Sequence, residues 1–465
     1  MSATTVALLL LAAGLVLYGV RVNHVMLQTP PEAQAYLEPP LTADRVRQVY
    51  RRVKEQGIDW HAGLPPRRDR RYVIVGGSGL VGGQIALSLL AVGVPPQAIR
   101  LLDIRPPTRS EFSSGAAAQV AFVKTDVTSE AEVESGMGAS WAASVSGLPL
   151  TVFHTAAVIR PQERDPVLYH RCSRVNVAGT AHALSAARKA GAGLFILTSS
   201  SNAGSRGVQW LFPPWRRQPR HFAQFIGDDD FSAGRPGRAA HEFPSNYAAS
   251  KAEAERLVCG SDAAEMRTAA IRPGNGVYGH RDDHIIAQML GRPRMPTFAA
   301  PWAQSWAHVG NVALAHLLLE AALLGPKADK VAGRPFMISD GGAPLRFRDV
   351  YTVLGATAST GFSVSHPPPV AMLLLAYGVE AYCRLLARLP ARLQGLVPEP
   401  GEPLCMLQPG TIASSVTSIT DTSTARRRPD EGGLGYRPLC TTLEGLCAQV
   451  RDWNEWVEAG GREER

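Results

Sequence analysis

The strongest constraint on this chain is a strand, a glycine turn and a helix in immediate succession. Residues 72–75 (YVIV) read as a short buried strand, and residues 85–92 continue as an apolar helix. Between them stands Gly76-Gly77-Ser78-Gly79-Leu80-Val81-Gly82. In such a turn the first glycine permits the sharp bend and the next lets the backbone approach a pyrophosphate. The last lets helix pack on strand. The helix N-terminus adds free N–H groups and the positive end of its dipole. The segment is therefore expected to cradle a dinucleotide.

The following elements fit the same plan. Residues 99–102 read as a second strand ending in Asp103, about twenty residues beyond the last glycine, where a carboxylate meets the ribose hydroxyls. A carboxylate there repels a 2′-phosphate and favours NAD over NADP, with Arg105 softening the preference. A third strand at 121–124 leads to Asp126, placed either to meet the adenine amino group or to cap the next helix. A fourth, at 150–153, ends in His154-Thr155-Ala156-Ala157, where small Ala156 lets backbone lie against the cofactor. His154 reads as a packed histidine. Asn176, opening a helix, is a candidate to hold the active-site strand or to cap locally.

A fifth strand at 194–197 delivers Thr198-Ser199-Ser200-Ser201 to the end of a parallel sheet where ligands gather. Tyr247 and Lys251 are four apart and share one helix face. An ammonium beside a phenol favours the phenolate. Tyr247 is thus the candidate base that takes a proton from an alcohol as hydride leaves its carbon. Ser200 would bond the substrate oxygen, and Lys251 would also hold the nicotinamide ribose.

This order of motifs resembles the extended short-chain dehydrogenase/reductase superfamily. Arg272-Pro273-Gly274-Asn275-Gly276-Val277-Tyr278-Gly279 looks like its RPxxxYG segment. Three further stretches look like the 3β-hydroxysteroid dehydrogenase/sterol-4α-carboxylate 3-dehydrogenase family. They are His308-Val309-Gly310-Asn311-Val312-Ala313, Phe336-Met337-Ile338-Ser339-Asp340 and Leu434-Gly435-Tyr436-Arg437-Pro438. The resemblance covers about residues 71 to 456. It assigns catalysis to Ser200, Tyr247 and Lys251, with Ser199 and Ser201 as near neighbours, and has the RPxxxYG segment touch cofactor and substrate, Pro273 included. It implies NAD-dependent oxidation of a sterol or steroid 3β-hydroxyl, and decarboxylation if a 4α-carboxylate is present. The same scaffold also serves nucleotide-sugar epimerases and reductases, and a non-catalytic membrane scaffold is a third reading. The span from Ser200 to Tyr247 is longer than the family usually shows. Its aromatic, basic part (210–217) and polar part (228–238) read as a packed insertion, a lid or a membrane-dipping loop.

The expected fold is a Rossmann-type doubly wound α/β sheet (71–272) with a smaller C-terminal substrate lobe (273–465). Before it stand a transmembrane helix (1–22) and a linker with a short exposed helix (23–70). Residues 6–20 are uncharged and apolar, close to the ~20 residues that span a bilayer with their neighbours; a cleaved signal, which lacks its positive n-region here, and a buried core helix are the rival readings. Basic residues from Arg21 onward place the body on the cytosolic side, which suits a single-pass protein of the endoplasmic reticulum. Residues 370–389 carry Glu380, Arg384 and Arg388 on one face and read as an amphipathic helix, lying on a membrane surface or packed on the lobe. Residues 398–411 read as a loop. The net charge of +8 comes without interleaved aromatic RNA-type motifs, so it points to an anionic membrane surface and not to nucleic acid. The six cysteines are scattered without a CxxC pair, which implies no metal site and a reducing compartment. The expected partners are a lipophilic small molecule, a membrane and a second copy in a homodimer.

Overall fold

The computed structural model describes residues 2–228, 237–394 and 396–461. Its centre is a seven-stranded parallel sheet: β1 (Arg71–Val75), β2 (Ile99–Asp103), β3 (Ala121–Lys124), β4 (Leu150–His154), β5 (Ala192–Thr198), β6 (Arg267–Pro273) and β7 (Pro335–Ile338). The spatial order is β7-β6-β5-β4-β1-β2-β3, every pair parallel. The order reverses between β1 and β4, and the C-terminal ends of those strands open a crevice there. Runs such as YVIV and VFH are apolar without alternation because helices cover both faces. Leu80–Ala91 and Val309–Leu323 cover one face. Glu130–Gly138, Gly179–Lys189 and Asn246–Cys259 cover the other.

The sheet domain is not contiguous in sequence. Strand β7 and helix Val309–Leu323 come from beyond residue 273 and complete the sheet. A second, four-stranded sheet joins Ala223–Ile226 to Thr417–Thr420, Ala303–Gln304 and Leu345–Arg346. Much of the 202–246 insertion is therefore packed: Trp210, Phe212 and Phe222 are buried, while Leu211 and Trp215 stay outside. Residues 229–236 of the polar stretch lie outside the described residues.

Three peripheral expectations change. Helix Ala43–Gln56 is not exposed: Val46, Val49 and Val53 at i, i+3 and i+7 are buried against helices Phe347–Thr357 and Thr442–Glu458. Residues 398–411 are not all loop: they hold a turn at Leu404–Met406 and, from Pro409, a short helix to Ser415. The polar face of helix Pro369–Arg388 is turned partly toward the body, with Arg384 and Arg388 still exposed. Glu380 is buried on Arg164, and Arg384 and Arg388 reach Asp165. Sequence periodicity locates a stripe but not the neighbour it faces.

The N-terminal helix runs Ala3–Met26, longer than the apolar segment itself. Its last turns are part of the body: Val22, Val25 and Met26 are buried with Trp210, Trp302 and Leu373. Its earlier residues are exposed around the full circumference.

Candidate active site

The glycine turn is built as its spacing demands. Gly76 has φ +82°, and a Cβ there would lie 2.4 Å from the Ala156 nitrogen. A Cβ on Gly82 would lie 2.3 Å from the Gly76 carbonyl oxygen. Gly79 is the N-cap residue of helix Leu80–Ala91, so Leu80, Val81 and Gly82 form its first turn. Thr155, within HTAA, buttresses the turn by donating from Oγ1 to the Val75 and Gly76 carbonyls, each at 3.0 Å. That role was hidden in the sequence, because it depends on β4 lying beside β1.

A crevice of about 790 Å³ opens above this turn. Gly76, Ser78, Gly79, Asp103, Asp126 and Ala156 line it; Gly77, Leu80, Val81, Gly82 and Pro273 do not. Asp103 accepts the Ser78 N–H at 3.1 Å and the Ile104 N–H at 2.7 Å, so its carboxylate is fixed at the end of β2 facing the turn. Asp126 is exposed and accepts the Thr128 N–H at 2.8 Å, while Ser129 caps the next helix. Arg105, Arg160, Arg171 and Arg174 also line the crevice and give it a cationic wall suited to phosphate. Arg160 and Arg171 share the buried Glu163 carboxylate, at 2.6 and 3.0 Å.

Beyond the crevice the structure brings Ser200, Tyr247 and Lys251 together, all buried. Ser200 stands beside the Tyr247 phenol, and Lys251 Nζ donates to the Thr198 carbonyl at 2.5 Å, at the end of β5. Ser199 and Ser201 hydroxyls make no bond to the phenol; both are buried without a partner. The expected depression of the Tyr247 pKa is not found in the chain by itself. Burial pushes the phenol up to about 12, and the Ser200 hydrogen bond only partly opposes it. The Lys251 ammonium is spent on a carbonyl, and burial draws its own pKa down to about 8.

Two further groups fix this geometry. Asn176 sits in a π-helical turn, Arg174–Ala178, and bridges two elements. Its Oδ1 accepts the Val158 N–H at 2.8 Å, and its Nδ2 donates to the Val158 carbonyl at 3.0 Å and to Ser250 Oγ at 2.9 Å. Asn176 therefore ties the loop after β4 to the helix that carries Tyr247. Glu255, one turn beyond Lys251, accepts a bidentate pair from Arg272 at 2.8 and 2.6 Å, with the two side chains 1% and 2% exposed. Its i+4 spacing from Lys251 was the available signal. His154 is a packed histidine: it lies 2.9 Å from the Thr180 hydroxyl, and burial lowers its pKa to about 3.

With the geometry in hand, comparison with known proteins places the chain. Residues 73–209 and 223–362 match the model of the 3-beta hydroxysteroid dehydrogenase/isomerase family. The chain belongs to that family. The zebrafish (Danio rerio) short-chain dehydrogenase/reductase family 42E member 1 is 26% identical over 409 residues, 85% of this chain and 90% of that protein. The Saccharomyces cerevisiae sterol-4-alpha-carboxylate 3-dehydrogenase ERG26, decarboxylating, is 26% identical over 278 residues, 58% of this chain and 70% of that protein. Among solved structures, MoeE5 in complex with UDP-glucuronic acid and NAD covers 84% of this chain and 100% of its own at TM-score 0.54 and 17% identity, which shows the shared fold. The chain is accordingly a nicotinamide-dependent oxidoreductase of the short-chain dehydrogenase type.

Within this 3-beta hydroxysteroid dehydrogenase family member, the motifs beyond β6 do not all serve the site. Arg272 grips the catalytic helix through Glu255, and Asn275 accepts from Asn202 at 3.3 Å beside Ser200. Tyr278, expected near cofactor and substrate, is instead fully buried and donates to Asp340 Oδ2 at 2.8 Å. The same Asp340 accepts the His308 N–H at 2.6 Å and Asn311 Nδ2 at 2.7 Å. Three family motifs thus converge on one buried carboxyl, whose pKa burial pushes up to about 6. They are a structural joint between the sheet and the lobe.

Proposed function

We propose that this chain oxidises the 3β-hydroxyl of a sterol or steroid to the 3-ketone with NAD, held at the endoplasmic reticulum membrane by its N-terminal helix with the body in the cytosol. The observation that carries this reading is the burial of Ser200, Tyr247 and Lys251 at the C-terminal end of β5, with Lys251 on the Thr198 carbonyl. The crevice fits a dinucleotide: no side chain could occupy Gly76 or Gly82, and Asp103 presents an anchored carboxylate where a 2′-hydroxyl is accepted and a 2′-phosphate is repelled. Gly76, Ser78, Gly79, Asp103 and Ala156 would hold that dinucleotide, which supplies the hydride acceptor.

The chain's own residues handle the proton and the orientation. Ser200 holds the substrate oxygen and Tyr247 removes its proton, so the carbon loses hydride and the oxygen becomes a carbonyl. Lys251, anchored on the Thr198 carbonyl, would hold the nicotinamide ribose, and Asn176 keeps the tyrosine helix in register with the β4 loop. Support for a sterol comes from the family and from the printed activity of the yeast relative. Were the substrate a 4α-carboxysterol, the 3-ketone would stand β to the carboxylate and permit loss of carbon dioxide.

The test is purified full-length protein with NAD and a panel of 3β-hydroxysterols, 4-carboxysterols and UDP-sugars, followed by NADH absorbance. Turnover is expected with 3β-hydroxy compounds, and Tyr247→Phe should lower it by about 10²-fold or more. A signal with UDP-sugars and none with sterols would overturn the proposal.

A further inference from the structure

A serine that is to hold a substrate oxygen needs its hydroxyl aimed, and its side chain has one heavy-atom torsion with which to aim it. In this protein a turn sets the aim. Ser200 is extended and caps the short turn Ser201–Ala203, its Oγ accepting the Asn202 N–H at 3.2 Å. One lone pair is thus committed to the turn, while the other and the proton remain for the tyrosine and the substrate. A shift of the turn therefore moves the Ser200 hydroxyl with it. Ser201, Asn202, Ala203 and Ser205 are all buried, so the carbonyls at the end of the turn must find donors inside the protein.

The donor comes from the far end of the 202–246 insertion. Arg238 Nη2 donates to the Ala203 carbonyl at 2.6 Å, and its Nη1 donates to the Ser205 carbonyl at 2.8 Å. The guanidinium carbon also lies 4.2 Å from the centre of the Phe243 ring. Phe243 is buried against Ala248 and Ala249, in the helix that carries Tyr247. One planar cation thus touches both the turn that follows Ser200 and the segment that leads into Tyr247. A second side-chain hold on the turn, from Asn202 Nδ2 to Asn275 Oδ1 at 3.3 Å, is a longer bond between neutral groups. Charge-assisted bonds are roughly twice as strong as neutral ones, so the arginine is the main restraint.

We propose that Arg238 is a positioning residue of the dehydrogenase site: it fixes the Ser200 turn against the Tyr247 helix, and this is what the end of the insertion contributes to the reaction. The inference rests on the proposed roles of Ser200 and Tyr247 and is independent of which alcohol they act on. Arg238 works through the backbone carbonyls of residues 203 and 205, so it takes no part in the proton transfer itself. The arrangement suits a guanidinium, whose rigid fork spans two carbonyls, better than the single point charge of a lysine. Arg206 supplies a contrast in the same insertion: its side chain is 48% exposed and meets Glu242 at 3.3 Å. Such a pair at the surface restrains little.

The test uses full-length protein with whichever alcohol of the panel above it oxidises, sterol or UDP-sugar. Arg238→Ala should lower kcat by about 10–10²-fold and leave NAD affinity unchanged, since a shift of about 1 Å at a reacting group costs that much. Arg238→Lys should regain part of the loss, and Arg206→Ala should leave kcat as it is. A double-mutant cycle separates positioning from plain stability. Because Arg238 acts through Ser200, Ser200→Ala should cost much less in the Arg238→Ala protein than in the parent. Additive losses, or a kcat in Arg238→Ala within about twofold of the parent, overturn the proposal. A matching loss of NAD affinity marks a general loosening and overturns it too. Amide hydrogen exchange needs no turnover: Arg238→Ala should speed exchange at residues 201–205, Asn202 above all, while β5 stays protected. Raised exchange there sustains the positioning role and unchanged exchange overturns it, so failure of sterol turnover remains a separate result.

Discussion

Two helices of this protein are each gripped by a bidentate arginine–glutamate pair, and the grips differ in kind. In helix Asn246–Cys259 the pair is Glu255 with Arg272, the side chains 1% and 2% exposed, deep between sheet and loop. In helix Pro369–Arg388 it is Glu380 with Arg164, 7% and 33% exposed, at the edge of the body. The first helix is buried on the face that carries Tyr247 and Lys251 and open at Glu253. The second is sealed on one side and leaves an apolar stripe outside. A buried ion pair fixes the position of the helix that carries it, since neither charge has water to fall back on. A pair at an edge orients an element while its outer face stays exposed.

The largest expected effect breaks the first grip. Glu255→Gln removes a carboxylate that the buried Arg272 guanidinium holds at two points, and should destabilise the fold by about 3–5 kcal/mol in chemical denaturation. A loss under about 1 kcal/mol would mean that the two grips are equivalent, against the contrast in burial.

An intermediate effect sharpens what sealing does to the catalytic helix. Burial draws the Lys251 ammonium down to about 8, so its charge is complete at pH 6 and is lost as pH rises through 8. Dinucleotide affinity that depends on that charge should hold below pH 8 and weaken by about tenfold per unit above it, as one bound proton is linked to binding. Tryptophan fluorescence titrations from pH 6 to 10 measure this. Affinity that stays flat to pH 10 would show that the ammonium plays no part in holding the cofactor.

The smallest effect tests the second grip. Glu380→Gln should cost about 1 kcal/mol or less, because Arg164 is partly solvated. Its Tm should stay within a few degrees of the parent, while that of Glu255→Gln falls well below. Equal Tm losses would erase the distinction.

The legible parts of this protein are those whose physics is local. The turn at 76–82 could be read because each glycine answers a contact within one strand–turn–helix unit, and the Cβ clashes at Gly76 and Gly82 show that requirement. Asp103 and the Tyr247–Lys251 spacing were legible for the same reason. The parts that were not legible depend on which elements become neighbours. The partner of Tyr278 is Asp340, sixty-two positions on, which no local pattern specifies. Helix Ala43–Gln56 looked exposed until the C-terminal helix Thr442–Glu458 was seen to cover Val46, Val49 and Val53. The charges of helix Pro369–Arg388 looked solvated because Arg164 and Asp165 lie more than two hundred residues away.

The sequence by itself determined a dinucleotide crevice, a parallel sheet and the residue types that surround an alcohol, because short-range spacing dictates backbone conformation and helix face. Only the tertiary structure decided which serine meets the tyrosine, where the lysine's charge is spent, and which side of a peripheral helix is left bare. Those outcomes depend on long-range packing, where burial sets the energy of every charge and no local pattern specifies the partner.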